Sequence, residues 1–123
     1  MLTSTKGELD MAAKRVLIVL GKLKRGGAET LVMNIYRTID RSVVQFDFIV
    51  HTPDRYDYDD EIESLGGKIY RFPQYNVLNH FEYKRCWNRF FAEHPEYRII
   101  HAHMTGSASV FLPIAKKYGL VTI

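Results

Sequence analysis

The stretch Arg15-Val-Leu-Ile-Val-Leu-Gly21, then Lys22-Leu-Lys-Arg25, then Gly26-Gly27-Ala28-Glu29, sets the fold in three steps. Val16–Leu20 is a short unbroken apolar run rich in β-branched residues, the pattern of a strand buried on both faces. A basic segment follows and ends in two glycines. From there the apolar residues switch to helical spacing. Ala28, Leu31, Val32, Ile35, Tyr36 and Ile39 form one stripe, which predicts a helix over 28–39 packed on a sheet. Strand, glycine-bearing loop and helix, in that order, place free backbone N–H groups and a positive helix end at the carboxyl end of a parallel strand. Such a corner holds a phosphate or another anion.

The alternation continues outward. Gln45–His51 reads as a second strand, followed by an acidic, aromatic loop over 52–60. Asp59–Leu65 reads as a short helix with Gly66 as its left-handed cap, and Lys68–Phe72 as a third strand ended by Pro73. Asn79-His-Phe-Glu82 has the form of a capping box, opening a helix that buries Tyr83, Cys86, Trp87, Phe90 and Phe91 and stops at Pro95. Tyr97–His101 is a fourth strand. Ser107–Tyr118 is a helix with Ala108, Phe111, Leu112 and Ala115 on one face, and Pro113 is expected to kink or split it. Gly119 caps that helix and Leu120–Ile123 begins a fifth strand. Strands alternating with helices predict an α/β, Rossmann-like fold: a mainly parallel sheet with helices on both faces. Residues 1–13 read as a flexible leader and 14–123 as one domain.

Composition sets the outer bounds. A chain of 123 residues, 46% hydrophobic and 25% charged, is an ordered single domain rather than a disordered one. A formal charge of +3 admits anionic ligands but is too small to argue for nucleic acid. Cys86 is the only cysteine, which excludes an internal disulfide and a cysteine-based zinc site and favours a reducing, cytoplasmic setting. No apolar run approaches the ~20 residues of a membrane span, and the leader lacks a signal-peptide core. Gly119–Ile123 reads as a strand opening with nothing after it, so a fragment or isolated domain of a longer enzyme is expected.

Two corners carry candidate chemistry. At the first, the spacing Gly21, Gly26, Gly27 fits neither the Walker A motif nor the Gly-x-Gly-x-x-Gly dinucleotide fingerprint, which argues against ATPase and NAD-dehydrogenase chemistry. Gly26 and Gly27 either let a ligand approach the backbone or merely serve the turn, and the sequence leaves both open. Glu29 would repel a phosphate there. Lys22, Lys24 and Arg25 offset it, or are a solvated loop. At the second corner, His101 and His103 point to one face of the fourth strand at its carboxyl end. Two histidines without a third ligand make a poor metal site, so no metal is expected. His101 reads as a capping or supporting residue and His103, nearer the loop, as functional. Thr105-Gly106-Ser107 could bind an anion or a sugar hydroxyl, with plain N-capping by Thr105 or Ser107 the simpler reading. The carboxylates from Asp54 to Glu63 read as solvated surface, since the calcium-loop spacing is absent. Cys86, on the buried stripe, reads as an inert thiol. Tyr56, Tyr58, Tyr75 and Phe81 either stack on a sugar or lipid or simply pack.

Taken as a set, Val16–Leu20 with Gly26-Gly27-Ala28-Glu29-Thr-Leu-Val-Met-Asn, Phe46-Asp-Phe-Ile-Val-His51, Leu65-Gly66-Gly67-Lys-Ile-Tyr and Arg98-Ile-Ile-His101-Ala-His103 resemble the opening of family 4 glycosyltransferases of the GT-B architecture, the capsular and exopolysaccharide enzymes above all. The resemblance implies that residues 14–123 are the N-terminal, acceptor-side half of a GT-B fold, with the C-terminal donor domain absent. It implies sugar transfer from a nucleotide-sugar donor to a glycan or lipid-linked acceptor with retention of configuration and no metal or other cofactor. Gly26 and Gly27, with Arg25, Thr105 and Gly106, then bind the donor diphosphate and substrate. His103 then lies near the transferred sugar as the catalytic residue. Isolated, the 123 residues are expected to be inactive. Two rivals stay open: a non-catalytic binding or assembly module, and a domain for another nucleotide or phosphate ligand. Peripheral contact with the inner face of a membrane, through Lys22, Lys24 and Arg25, also stays open.

Overall fold

The computed structural model describes residues 13–21, 26–103 and 106–123. All but the last residue of the expected leader lies outside them. The elements are β1 (Lys14–Leu20), α1 (Gly27–Thr38), β2 (Val44–Val50), α2 (Asp59–Ser64), β3 (Ile69–Arg71), α3 (His80–Glu93), β4 (Ile99–Ala102), α4 (Ala108–Lys117) and β5 (Val121–Thr122). All four strand pairings are parallel, in the order β3-β2-β1-β4-β5. This is the expected α/β Rossmann-like fold.

The unbroken apolar run of β1 is explained by its position at the centre of the sheet. Leu17 and Val19 pack into one core with Ile49, Ile100 and the α3–α4 residues Tyr83, Trp87, Phe90 and Phe111. Ile18 and Leu20 point the other way, into a core with Val32, Met33, Tyr36, Phe48, Val50 and Ile62. α1 and α2 therefore cover one face and α3 and α4 the other. The first core is the more aromatic: Trp87 is fully buried and stacks on Phe111 with ring centroids 4.4 Å apart. Its indole Nε1 has no hydrogen-bond partner among the described residues.

Near the amino ends of the strands a buried polar node ties β1 and β2 to the residues that lead into β3 and β4. Asp47, fully buried on β2, accepts hydrogen bonds from Arg15 Nη1 at 2.6 Å, the Lys68 amide at 2.9 Å and the Tyr97 hydroxyl. Burial and the Asp47 carboxylate push the Tyr97 phenol far above its ordinary value. A buried carboxylate needs several such donors, and these supply them.

Several local expectations are corrected. In α1, Leu31 and Ile35 are 57% and 44% exposed, while Met33 is buried with Val32 and Tyr36. A helix lying on a sheet buries a narrower arc than the six-residue stripe spans, and Met33 completes it. The capping box at Asn79 does not form: Asn79 Oδ1 accepts from the Asn76 amide at 2.8 Å, and its Nδ2 donates to the Gln74 carbonyl at 2.8 Å, so the preceding turn consumes the side chain. α4 runs unbroken through Pro113, whose missing N–H leaves only the carbonyl of exposed Ser109 without its helical partner. Asp59 is not solvated surface. It is buried and paired with Arg71, while Glu61 pairs with Arg37 and Asp60 and Glu63 pair with Arg55. Cys86 is only half-buried. Gly66 and Gly119 do adopt positive φ, 93° and 85°, after α2 and α4.

Candidate functional site

The strand order reverses direction at β1. The β1–α1–β2 and β2–α2–β3 connections run to one side of it. The chain then crosses back through α3 to place β4 on the other side. The switch point of the sheet therefore falls at the carboxyl edge between β1 and β4, the place where doubly wound sheets bind ligands. Neighbouring backbone extends the sheet at this edge. The His103 amide donates to the Val19 carbonyl at 2.9 Å, and the His51 amide donates to the Gly21 carbonyl at 2.8 Å.

On the α1 side this edge is bounded by a bare helix start. Gly26, extended at φ −133° and ψ −179°, precedes α1, and the first helical bond runs from the Thr30 amide to the Gly26 carbonyl at 3.0 Å. The amides of Gly27, Ala28 and Glu29 thus precede the ladder. Neither Gly26 nor Gly27 has positive φ. A Cβ on Gly27 meets nothing within 4 Å among the described residues, and one on Gly26 meets only the mobile end of Glu29, with Oε2 2.6 Å away. The turn itself therefore has no conformational need for glycine at these two positions. The space over Gly27 is open among the described residues, while the Glu29 carboxylate stands over Gly26.

His103 stands on the same side of the sheet. Its strand neighbour His101 pairs in register with Ile18, which belongs to the α1-side core, and residues two apart share a face. The two imidazoles stack with centroids 4.3 Å apart and planes 21° from parallel. Burial and then the neighbouring His101 charge hold the His103 imidazole below its ordinary value, while the negative charge of Glu29 pulls it back up. A neutral imidazole can accept or donate a proton at a ligand hydroxyl.

On the α3–α4 side lies an arrangement that sequence reasoning missed. His51 Nδ1 is 3.1 Å from the Leu20 carbonyl, and its Nε2 is 2.6 Å from Tyr83 Oη, which is 3.1 Å from Ser107 Oγ. A carbonyl only accepts, so Nδ1 carries the imidazole proton. The Tyr83 hydroxyl donates to Ser107 Oγ and stands against Nε2. Burial lowers the His51 pKa and favours the neutral ring. The chain explains why Ser107, although it stands at the α4 N-cap, makes no side-chain capping bond. The simple capping reading of Ser107 is thereby corrected. The one available signal was the position of His51, directly after the apolar run of β2.

Of the remaining candidates, Gly106 is exposed beside Ser107, and a Cβ there meets nothing within 4 Å among the described residues. Arg25 and Thr105, like Lys22 and Lys24, lie outside the described residues. Tyr58 and Tyr56 pack against the α1–α2 core, Tyr75 bonds His80 Nδ1 at 2.9 Å, and Phe81 is exposed. No group of three His, Cys, Asp or Glu side chains among the described residues is placed to hold a metal ion. No helix among them is long and apolar enough to cross a membrane.

No family model matches the chain, and no solved structure matches it. A Bacillus subtilis (strain 168) protein named "Putative glycosyltransferase EpsF" is 38% identical over 115 residues, which cover 94% of this chain and 30% of that protein. The chain thus spans under a third of the length of the curated relative it matches.

Proposed function

We propose that this chain is the N-terminal, acceptor-side domain of a retaining glycosyltransferase of the GT-B type, acting in polysaccharide synthesis with a nucleotide-sugar donor and a glycan or lipid-linked acceptor. The observation that carries the proposal is that Gly26 and Gly27 head α1 while His103, just past β4, stands on the same α1-covered face of the sheet at its switch point. The similarity to the B. subtilis protein gives the chemistry a class.

In this reading the amides around Gly26 and Gly27, with the positive end of α1, stabilise the negative charge that develops on the departing diphosphate. The absence of Cβ atoms lets the diphosphate come within hydrogen-bond distance. Glu29 swings off Gly26 when the diphosphate arrives, because a carboxylate and a phosphate cannot share that corner. His103, neutral near pH 7, orients a hydroxyl of the transferred sugar. The relay from Leu20 through His51 and Tyr83 to Ser107 fixes the opposite wall. A second domain, beyond these residues, holds most of the donor.

The test is donor profiling with the full-length polypeptide that carries this domain. Sugar transfer from a UDP- or GDP-sugar, with no turnover of NAD or ATP, supports the assignment. Turnover of NAD or ATP without sugar transfer rejects it.

A further inference from the structure

The buried chain from the Leu20 carbonyl to Ser107 asks one proton to do two things. His51, Tyr83 and Ser107 are 4%, 0% and 3% exposed, so their polar atoms depend on one another. His51 Nδ1, 3.1 Å from the Leu20 carbonyl, must donate there. Tyr83 has a single hydroxyl proton and two neighbours that can take it. It donates to Ser107 Oγ at 3.1 Å, and its oxygen stands 2.6 Å from His51 Nε2. In a neutral ring that carries its proton on Nδ1, Nε2 is only an acceptor and competes for the same hydroxyl proton. A proton taken up from water at Nε2 ends the competition. Nε2 then donates to Tyr83 Oη, the Tyr83 proton stays on Ser107, and every link runs in one direction.

The ends of this chain lie on two different strands' exits. Leu20 closes β1, and the His51 amide also donates to the Gly21 carbonyl at 2.8 Å. Ser107 stands directly before α4, and four residues earlier the His103 amide donates to the Val19 carbonyl at 2.9 Å. The segment from His103 to Ser107 is thus anchored at both ends, once by the sheet and once by Tyr83. Other groups around His51 leave the field to this chain. The end of β3 contributes the Phe72 ring, with centroids 6.3 Å apart, and behind Tyr83 stands Tyr75 at 5.0 Å, with Cys86 as the other titratable group acting on Tyr83. The adjoining charged residues Asp54, Glu82 and Lys84 are exposed, and no Asp, Glu, Lys or Arg side chain among the described residues bonds His51.

We propose that Tyr83 is a positioning residue that carries the protonation state of His51 to Ser107, so that the entry of α4 is held more firmly when the imidazole is charged. Linkage makes the effect reciprocal: by drawing the Tyr83 proton to itself, Ser107 favours the charged ring. Burial opposes that charge, so the change falls on the acid side of the ordinary histidine value. The inference adds to the proposed function without resting on it, since its test needs no ligand.

The experiment is a pH series of NMR spectra on the isotopically labelled 123-residue chain, over the range in which circular dichroism shows it folded. The amides of Ser107 and Ala108 shift with the midpoint of the His51 ring. His103 titrates nearby, so the series is repeated in His103→Gln, where the shifts persist. In Tyr83→Phe the His51 ring still titrates and the two amides no longer follow it. Ser107→Ala breaks the same link without touching the ring pair and serves if Tyr83→Phe does not fold. There the Tyr83 proton passes to neutral Nε2, and the His51 midpoint drops below that of the parent. Amides that stay still through the His51 titration overturn the proposal. So do amides that follow His103 instead, amide shifts that survive in Tyr83→Phe, or a His51 midpoint that Ser107→Ala leaves unmoved or raises.

Discussion

The carboxylate of Glu29 and the imidazole of His103 act on each other across the end of β1, the carboxylate raising a pKa that burial and His101 lower. One residue sits in the first turn of α1 and the other just beyond β4, 74 positions on in the sequence. The strand order β2-β1-β4 brings the start of α1 and the end of β4 to one edge of the sheet.

Glu29→Gln removes the raising influence. The midpoint of His103, followed by proton NMR of the imidazole, moves further down. Pyrophosphate binding at the α1 start strengthens several-fold, because a like charge at contact distance in water is worth about 1 kcal/mol. An unmoved midpoint shows that the two groups do not face each other.

Gly27→Ala and Gly67→Ala separate function from packing. The first adds a methyl in open space at a helix start with ordinary φ, so stability holds or rises by about 0.4–1 kcal/mol. Under the proposed function, sugar transfer by the full-length protein nevertheless drops about tenfold or more, as expected when a ligand can no longer reach the amides. Gly67 is a buried contact: its Cβ would stand 2.7 Å from Tyr36 Oη and 2.8 Å from Ile62 Cγ2. Alanine there costs roughly 1–3 kcal/mol in urea unfolding. Equal stability of the two variants contradicts this division.

Acid weakens the fold through His51. Burial lowers its folded-state pKa, so below the unfolded value of about 6.5 the unfolded chain binds more protons. The contribution is fully present above that pH and is lost as pH falls, at no more than about 1.4 kcal/mol per pH unit from this one group. Urea midpoints at neutral and mildly acidic pH show the decline, and His51→Gln makes it shallower. His103, also lowered, retains part of the slope. A decline as steep in the variant as in the parent assigns the effect elsewhere.

Tyr83→Phe removes the hydroxyl that joins His51 to Ser107 and leaves a buried ring nitrogen without its partner. The expected loss is about 1–3 kcal/mol, the cost of an unsatisfied buried polar group. A loss of a few tenths means that water replaces the hydroxyl.

Most of this architecture was legible because its signals are local. β1 sits between two cores, so both faces needed apolar side chains, and the run Val16–Leu20 shows it. Gly66 and Gly119 were readable as caps because left-handed backbone selects glycine. The position of His103 at a strand's carboxyl end was readable from the run Arg98–His103. The His51–Tyr83 contact was not, because its partners are 32 residues apart and Tyr83 reads as one more apolar member of the α3 stripe. Asp59 read as solvated for a similar reason: its partner Arg71 comes from another element. Asn79 kept its place at the helix start but not its bonds, since the Asn76 turn competes for the same side chain.

The shared site is tested most directly by NMR titration of the isotopically labelled chain with UDP. The amides of Gly26 and Gly27 and the ring resonances of His103 should shift together and fit one dissociation constant. Shifts at the glycines with a silent His103, or the reverse, contradict a common site, and so does a titration in which neither moves.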